Sequence, residues 1–305
     1  MRIGLINQLH GRPGGDQGAP TWDSITARAA AAEEAGFDIF VFEDALLYRG
    51  KETTDGVWES VSIAGALAAT TQGIRIGHSV VNTPYRSPAM AASIATTLDE
   101  ISGGRYVLGI GAGNTWDSDY EAFGFPTDMR YSRFAEAIQI IHGLLRTGIA
   151  DFEGEFYSVK QGELVLRGPN PHGPPINIAA GGLRMLGLAA RYADEWNWWA
   201  WDETVEQVGE RFGPIIETLE AACAEESRDP GTLTRTLDVY TMVPEGFATD
   251  GLKMEQPVVG TVEQLAGFVL ALGELGFAEV RCDVWPKTID AIEAMRPVVD
   301  LVHEG

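Results

Sequence analysis

Three glycines at alternate positions, Gly109, Gly111 and Gly113, close the apolar run Tyr106–Ile110. Alternate glycines leave room for a flat ring or a phosphate against the backbone, and tight packing of a neighbouring strand explains them equally well. A second glycine turn reads Ala179-Ala180-Gly181-Gly182-Leu183-Arg184. It falls between a strand and a helix, where free N–H groups and the helix dipole make an anion site and Arg184 adds charge. A plain strand-to-helix turn is the alternative. Asp44 follows the apolar run DIFVF; it could act on a substrate, cap a loop or pair with an arginine. His10 lies in a polar loop after the first apolar run and could face a pocket. The five histidines show no zinc spacing, and no GxSxG elbow occurs, so neither a metal centre nor a serine hydrolase is indicated. A carboxylate pair for glycoside chemistry is not excluded, but no spacing singles one out. The run Trp196-Asn197-Trp198-Trp199-Ala200-Trp201 offers either core packing or an aromatic wall for a flat ligand. In the last apolar run Glu279, Arg281 and Asp283 alternate with Val280, Cys282 and Val284, a pattern that turns charges inward and demands that they pair.

These residues need elements to position them. Strands are expected at Arg2–Ile6, Asp38–Phe42, Ile74–Val81, Tyr106–Ile110, Ile176–Ala179, Glu195–Trp198, Thr234–Val243 and Ala278–Val284. Helical periodicity falls between them, at Trp22–Ala35, Trp58–Thr70, Pro88–Ile101, Tyr131–Arg146, Leu183–Tyr192, Thr204–Glu225, Val262–Leu275 and Ile289–Val302. Eight alternating units predict an α/β fold, a (β/α)8 TIM barrel, with a doubly wound open sheet as the alternative. The rhythm breaks once, after helix 4. There Asp151–Pro175 reads as an inserted hairpin and loop containing the extended pieces EFYSV and ELVLR. No linker or composition shift divides the chain, so one domain over residues 1–305 is expected. In such a barrel, chemistry gathers where strands end, which selects Asn7 to His10, Glu43-Asp44, Ser79 to Asn82, Gly111 to Asn114, Gly181 to Arg184, Asn197 to Trp201, Tyr240 to Met242 and Asp283.

The 305 residues carry a formal charge of −22, a surface that repels nucleic acid and anionic lipid. Neither a secretory leader nor a membrane span is expected. Cys223 and Cys282 have no disulfide or metal pattern, which favours a reducing cytoplasm.

The run YRSPAMAASIATTLDEISGGRYVLGIGAGN resembles the luciferase-like monooxygenase family, which includes bacterial luciferase and the deazaflavin-dependent reductases. EEAGFDIFVFED, EAFGFPTDMRYSRFAEAIQIIHGLL and PINIAAGGLRMLGLAARYADEWN support it. Together these runs span most of residues 1–200, and the C-terminal third is only generically similar. The resemblance implies an oxidoreductase barrel that binds reduced FMN or coenzyme F-420 at the strand ends. Ser79-Val80 would be a peptide, often cis, bulging under the ring, with Gly111, Ala112 and Gly113 beside it. Gly181 and Gly182 would hold the phosphate, flanked by Ala180, Leu183 and Arg184. Asp44, Asn114 and His10 are the expected polar contacts to a small-molecule substrate, and Asn114 could only hydrogen-bond. Many relatives are homodimers through helices 2 and 3, and a separate flavin reductase is a further conceivable partner. Sugar-phosphate dehydrogenases of the family carry Asp-His after strand two and a Glu after the glycines. Here Asp44-Ala45 and Asn114 stand there, which argues against that activity. A flavin-binding barrel without turnover and a cofactor-free hydrolase are the competing readings. The PYRSP loop leans toward F-420, and the acidic surface leans away from its polyglutamate tail.

Overall fold

The structure is a computed structural model describing residues 1–11, 19–49, 54–113, 119–200, 203–250, 252 and 257–305. Eight parallel strands form its centre: β1 Arg2–Ile6, β2 Ile39–Phe42, β3 Arg75–His78, β4 Tyr106–Gly111, β5 Ile176–Ala179, β6 Glu195–Ala200, β7 Thr234–Pro244 and β8 Glu279–Val284. Each pairs with the next, and β8 returns to β1 with Glu279 beside Arg2 and Cys282 beside Leu5. The ring is therefore closed, and the open-sheet alternative falls. The helices outside it are α1 Trp22–Glu34, α2 Ser60–Thr70, α3 Pro88–Ser102, α4 Arg130–Thr147, α5 Leu183–Tyr192, α6 Val205–Glu225, α7 Val262–Glu274 and α8 Arg296–Glu304.

Local chemistry starts these helices. Ser87 Oγ accepts from the Met90 N–H at 3.3 Å, and Pro88 stands in the first turn, where its missing N–H loses nothing. Thr204 with Gln207, and Thr261 with Gln264, form full capping boxes on α6 and α7. The last helix departs from expectation. It is split into Ile289–Glu293 and α8, because Pro297 lacks an N–H and its ring opposes the Glu293 carbonyl. The insertion is an antiparallel hairpin of Ile149–Glu153 and Ser158–Glu163. It begins two residues before the expected start, and ELVLR leaves the strand at Glu163, exposing Val165 and Leu166.

The strands bury their outward side chains against the helices. Phe40 and Phe42 on β2 are fully buried this way, each contributing about 1.5–3 kcal/mol. The barrel interior is divided. Ile6, Ile39, Val41 and Val107 make a small apolar cluster on one side. The other side holds charge. Arg281, wholly buried, donates from Nε to Glu279 at 2.7 Å and from Nη2 to Glu195 at 3.2 Å. Arg75 bonds the same two carboxylates, and Arg2 lies 3.1 Å from Glu279. Burial alone would push the Glu279 carboxyl up, but the charges of Arg281, Arg75 and Arg2 pull it down to about 2. Among the described residues no helix is long and apolar enough to cross a membrane.

Candidate active site

The mouth of the barrel is organised by a backbone irregularity. Gly77 pairs with Val107, and further along Val81 pairs with Ile110. Four steps on one strand therefore match three on the other, so one extra residue is accommodated at Ser79-Val80. The Ser79–Val80 peptide is cis, and both residues are half-buried between the fully buried His78 and Val81. β4 has to make room for this bulge. A Cβ added at Gly109 would run into the His78 carbonyl oxygen, and one at Gly111 would lie 2.9 Å from Val80 Cγ2. The alternate glycines thus serve strand packing directly; any ring would meet the bulge above them. Thr83 Oγ1 donates to the Gly111 carbonyl at 2.7 Å. Ala112 is half-buried against the core. Gly113 has φ +75° over the Tyr120 hydroxyl and accepts from Arg130 at 2.8 Å. Asn114 lies outside the described residues.

Asp44 is 2% exposed and already engaged. Both its oxygens accept from Arg86, at 2.6 and 2.9 Å, and it also accepts from Ser60 Oγ at 2.6 Å and the Asn82 N–H at 2.8 Å. Burial pushes its carboxyl up, but the Arg86 hydrogen bonds and charge outweigh this and hold it below the usual range. Such a carboxylate braces the start of α2 and the loop after β3 and is a poor proton acceptor.

His10 is placed differently. Its Nδ1 is 2.7 Å from Glu43 Oε1, which also accepts from the Leu9 N–H at 2.9 Å. Its ring meets Tyr48 edge-on, 4.6 Å between centroids. The buried guanidinium of Arg28, lowered by desolvation to about 10, feels the Glu43 charge. A carboxylate on Nδ1 favours the tautomer whose Nε2 carries the lone pair and holds the ring in one orientation. The sequence offered both His10 and Glu43 as polar residues at strand ends, but not their pairing, since contact across 33 positions comes only from folding β1 beside β2. The signal for Glu43 was position, the first residue beyond β2.

The second glycine turn divides into two parts. Ala180 is buried, and both its backbone groups are used: its N–H donates to the Asn197 carbonyl at 3.2 Å and its carbonyl accepts from Trp196 Nε1 at 2.7 Å. A Cβ at Gly181 would strike the Trp198 indole, so that glycine admits an aromatic ring. Gly182 is exposed, meets nothing within 4 Å, and heads α5 with no side-chain cap. Leu183 is 72% exposed, and the Arg184 guanidinium lies over the Tyr131 ring at 4.1 Å. Trp196 packs under Phe212 and Phe277, whereas Trp198 and Trp199 stack on each other at 3.9 Å. Trp201 lies outside the described residues. Asp283 is buried and paired with Lys287.

Below the bulge, Ser79 Oγ donates to Asp238 Oδ2 at 2.5 Å. Asp238 is 8% exposed, and burial raises its carboxyl despite Arg281 and the Ser79 bond. This residue, too, was not legible in the sequence: it lies 159 positions from Ser79.

A closed parallel barrel, polar at the carboxyl ends of its strands, and a bulged third strand define a recognised class. The sequence profile of the luciferase-like monooxygenase family matches residues 1–248, and the chain belongs to that family. An uncharacterised protein of Mycobacterium tuberculosis is 28% identical over 256 residues, 79% of this chain and 83% of its own. The F-420-dependent glucose-6-phosphate dehydrogenase of Nakamurella multipartita is 33% identical over 227 residues, 73% of this chain and 63% of its own. Among solved structures, an F-420-dependent secondary alcohol dehydrogenase with an F-420–acetone adduct superposes with a TM-score of 0.80 at 16% identity, covering 99% of this chain and 98% of its own. Riboflavin lyase with modified FMN and riboflavin gives 0.79 at 16% identity, over 98% and 91%. Both share the fold. The family contains oxidoreductases and monooxygenases, and either FMN or coenzyme F-420 is consistent with its members.

Three stability measurements check this geometry. Gly109→Ala should lower the unfolding free energy in urea by more than about 2 kcal/mol, because the obstacle is backbone. Gly187→Ala on α5, where nothing lies within 4 Å, should raise it by about 0.5–1 kcal/mol. His78 is fully buried, and desolvation lowers its pKa from 6.5 to about 4. The unfolded imidazole gains its proton first as pH falls, so stability should drop by up to about 3 kcal/mol from pH 6.5 to 4. His78→Gln, which removes the titration, should flatten that limb of the urea-midpoint profile.

Proposed function

We propose that this barrel is an oxidoreductase that binds coenzyme F-420 or reduced FMN at the strand ends and acts on a small organic substrate. The observation that carries this reading is the bulge at Ser79-Val80. It presents a flat peptide at the mouth, with Val80 down against Gly111 and the Ser79 hydroxyl bonded to Asp238. A planar ring fits such a surface. The phosphate end has a matching feature in α5, whose first turn has no side-chain cap and whose Gly182 opens to solvent. Unbonded N–H groups and the dipole suit a phosphate there, with Gly181 shaped by Trp198 and Arg184 nearby. Ala180 contributes through the fold only, since its own N–H is taken.

When bound, the cofactor supplies hydride transfer or oxygen chemistry. The chain's own residues do the rest. His10 is the group we assign to proton movement on the substrate, through Nε2, with Glu43 orienting the ring. Asp44, held by Arg86, keeps the loop over the mouth in place rather than exchanging protons. The Trp198–Trp199 stack supplies apolar wall. Sugar phosphates are disfavoured, because Ala45 replaces the histidine that such relatives carry after strand two.

Titrating the purified protein with FMN and with F-420, followed by visible absorption and fluorescence, should give saturable binding of at least one. Failure of both overturns the reading. A screen with the bound cofactor and a substrate panel then supplies a turnover assay. In it His10→Ala should lower kcat/KM by about 10²–10⁴-fold. Its cofactor Kd should change less than about threefold, since its partner is Glu43 rather than the bulge.

A further inference from the structure

The interior charge system ends, toward the mouth, in a residue that touches the bulge. Arg281 gives its closest bonds to Glu279 and Glu195, leaving Asp238 Oδ1 at 3.9 Å from Nη1. Asp238 is instead held by hydrogen bonds. Ser79 Oγ donates to Oδ2 at 2.5 Å, and Asn197 donates to Oδ1 at 3.3 Å when its amide nitrogen is turned to the acceptors around it. Three arginines, Arg2, Arg75 and Arg281, face three carboxylates, Glu195, Glu279 and Asp238, across the strands that enclose this space. Above them Asp283 is paired with Lys287. Asp238 is thus the member of the set least compensated by direct ion pairing and nearest the bulge.

A serine hydroxyl has one proton and two lone pairs. While Asp238 is ionised, that proton is committed downward to Oδ2, and Ser79 offers the mouth only lone pairs. When Asp238 carries a proton, the carboxyl can donate to Ser79 Oγ, which releases the serine O–H from Oδ2 to the acceptors left to it, a bound ring or the Asn197 amide oxygen 3.4 Å away in the turned orientation. Ser79 is half-buried and is itself part of the bulge at the mouth. We propose that Asp238 is a positioning residue for the cofactor: through Ser79 it decides whether the barrel presents the ring with a hydrogen-bond donor or only with acceptors. A reduced, electron-rich ring is favoured by the donor and an oxidised one much less, so the proton on Asp238 biases the site toward the reduced cofactor. Burial raises the Asp238 carboxyl, which brings its protonation closer to neutral pH. This inference rests on the reading that the ring lies at Ser79-Val80.

The test is the Kd of oxidised and of reduced FMN, and of oxidised and reduced F-420, measured from pH 5 to 9. The free cofactor's own titration is recorded in parallel and subtracted. In the wild type the preference for the reduced form should weaken by roughly tenfold as pH rises, the worth of one hydrogen bond. Asp238→Asn can still donate to Ser79 and cannot ionise, so its preference should stay at the low-pH value throughout. Ser79→Ala has no hydroxyl to turn and should also be flat, at a weaker preference. Circular dichroism confirms folding of each variant, and Ser79→Ala decides the matter if Asp238→Asn does not fold. Binding with a flat wild-type profile overturns the proposal, as does a pH dependence that either folded variant retains. Binding of neither cofactor overturns the functional reading, and this one with it.

Discussion

The β3 backbone passes so close over β4 that position 109 has no space for a side chain. That crossing fixes the rest of the mouth. With one extra residue in β3, Val80 drops onto Gly111, Ser79 swings over the barrel interior, and the strand resumes its pairing at Val81. The following loop is then within reach of Asp44, which accepts the Asn82 N–H and the Arg86 guanidinium. Replacing any one of these contacts would have to move backbone, because interiors packed this closely do not deform gradually.

The interior charges have a comparable fixing role. A barrel half filled with arginines and carboxylates gains little net stability over an apolar filling, since desolvation offsets most of the attraction. It does supply a hydrogen-bonding floor. Asn177, Thr236, Asn197 and Asp238 continue the polar chain upward from Glu195 to Ser79. An apolar interior would leave the Ser79 hydroxyl without a partner beneath the mouth. The polar filling therefore makes sense as support for the bulge, and the apolar cluster of Ile6, Ile39, Val41 and Val107 fills the side where no such support is needed.

Family comparison and geometry pull apart at one point. The family resemblance implies a histidine after strand two for sugar-phosphate oxidation, and this chain has the buried Ala45 there. An imidazole nevertheless reaches that strand end, from the loop after β1, by bonding Glu43. The two strand ends thus bring an imidazole and a carboxylate together without a histidine at position 45.

Period and punctuation determined the eight strands, the order of the helices and the barrel class, because each depends on residues close in sequence: alternating or continuous apolar runs, N-caps, and glycine or proline at ends. The bulge at Ser79-Val80 was named through family resemblance, and His10 through its place in a loop. Asp44 was legible as a carboxylate at a strand end, with an arginine partner as one option; only the fold supplied Arg86. The glycines after β4 and before α5 could have served a ligand or a neighbour. Tertiary structure decided that Gly109 and Gly111 yield to the bulge, Gly181 to Trp198, and Gly182 to open space. Glu43 beside His10 depends on β1 pairing with β2, and Asp238 beneath Ser79 is a contact across the closed barrel. Local pattern carries no information about such partners, since it is ring closure that sets which inward side chains share a layer.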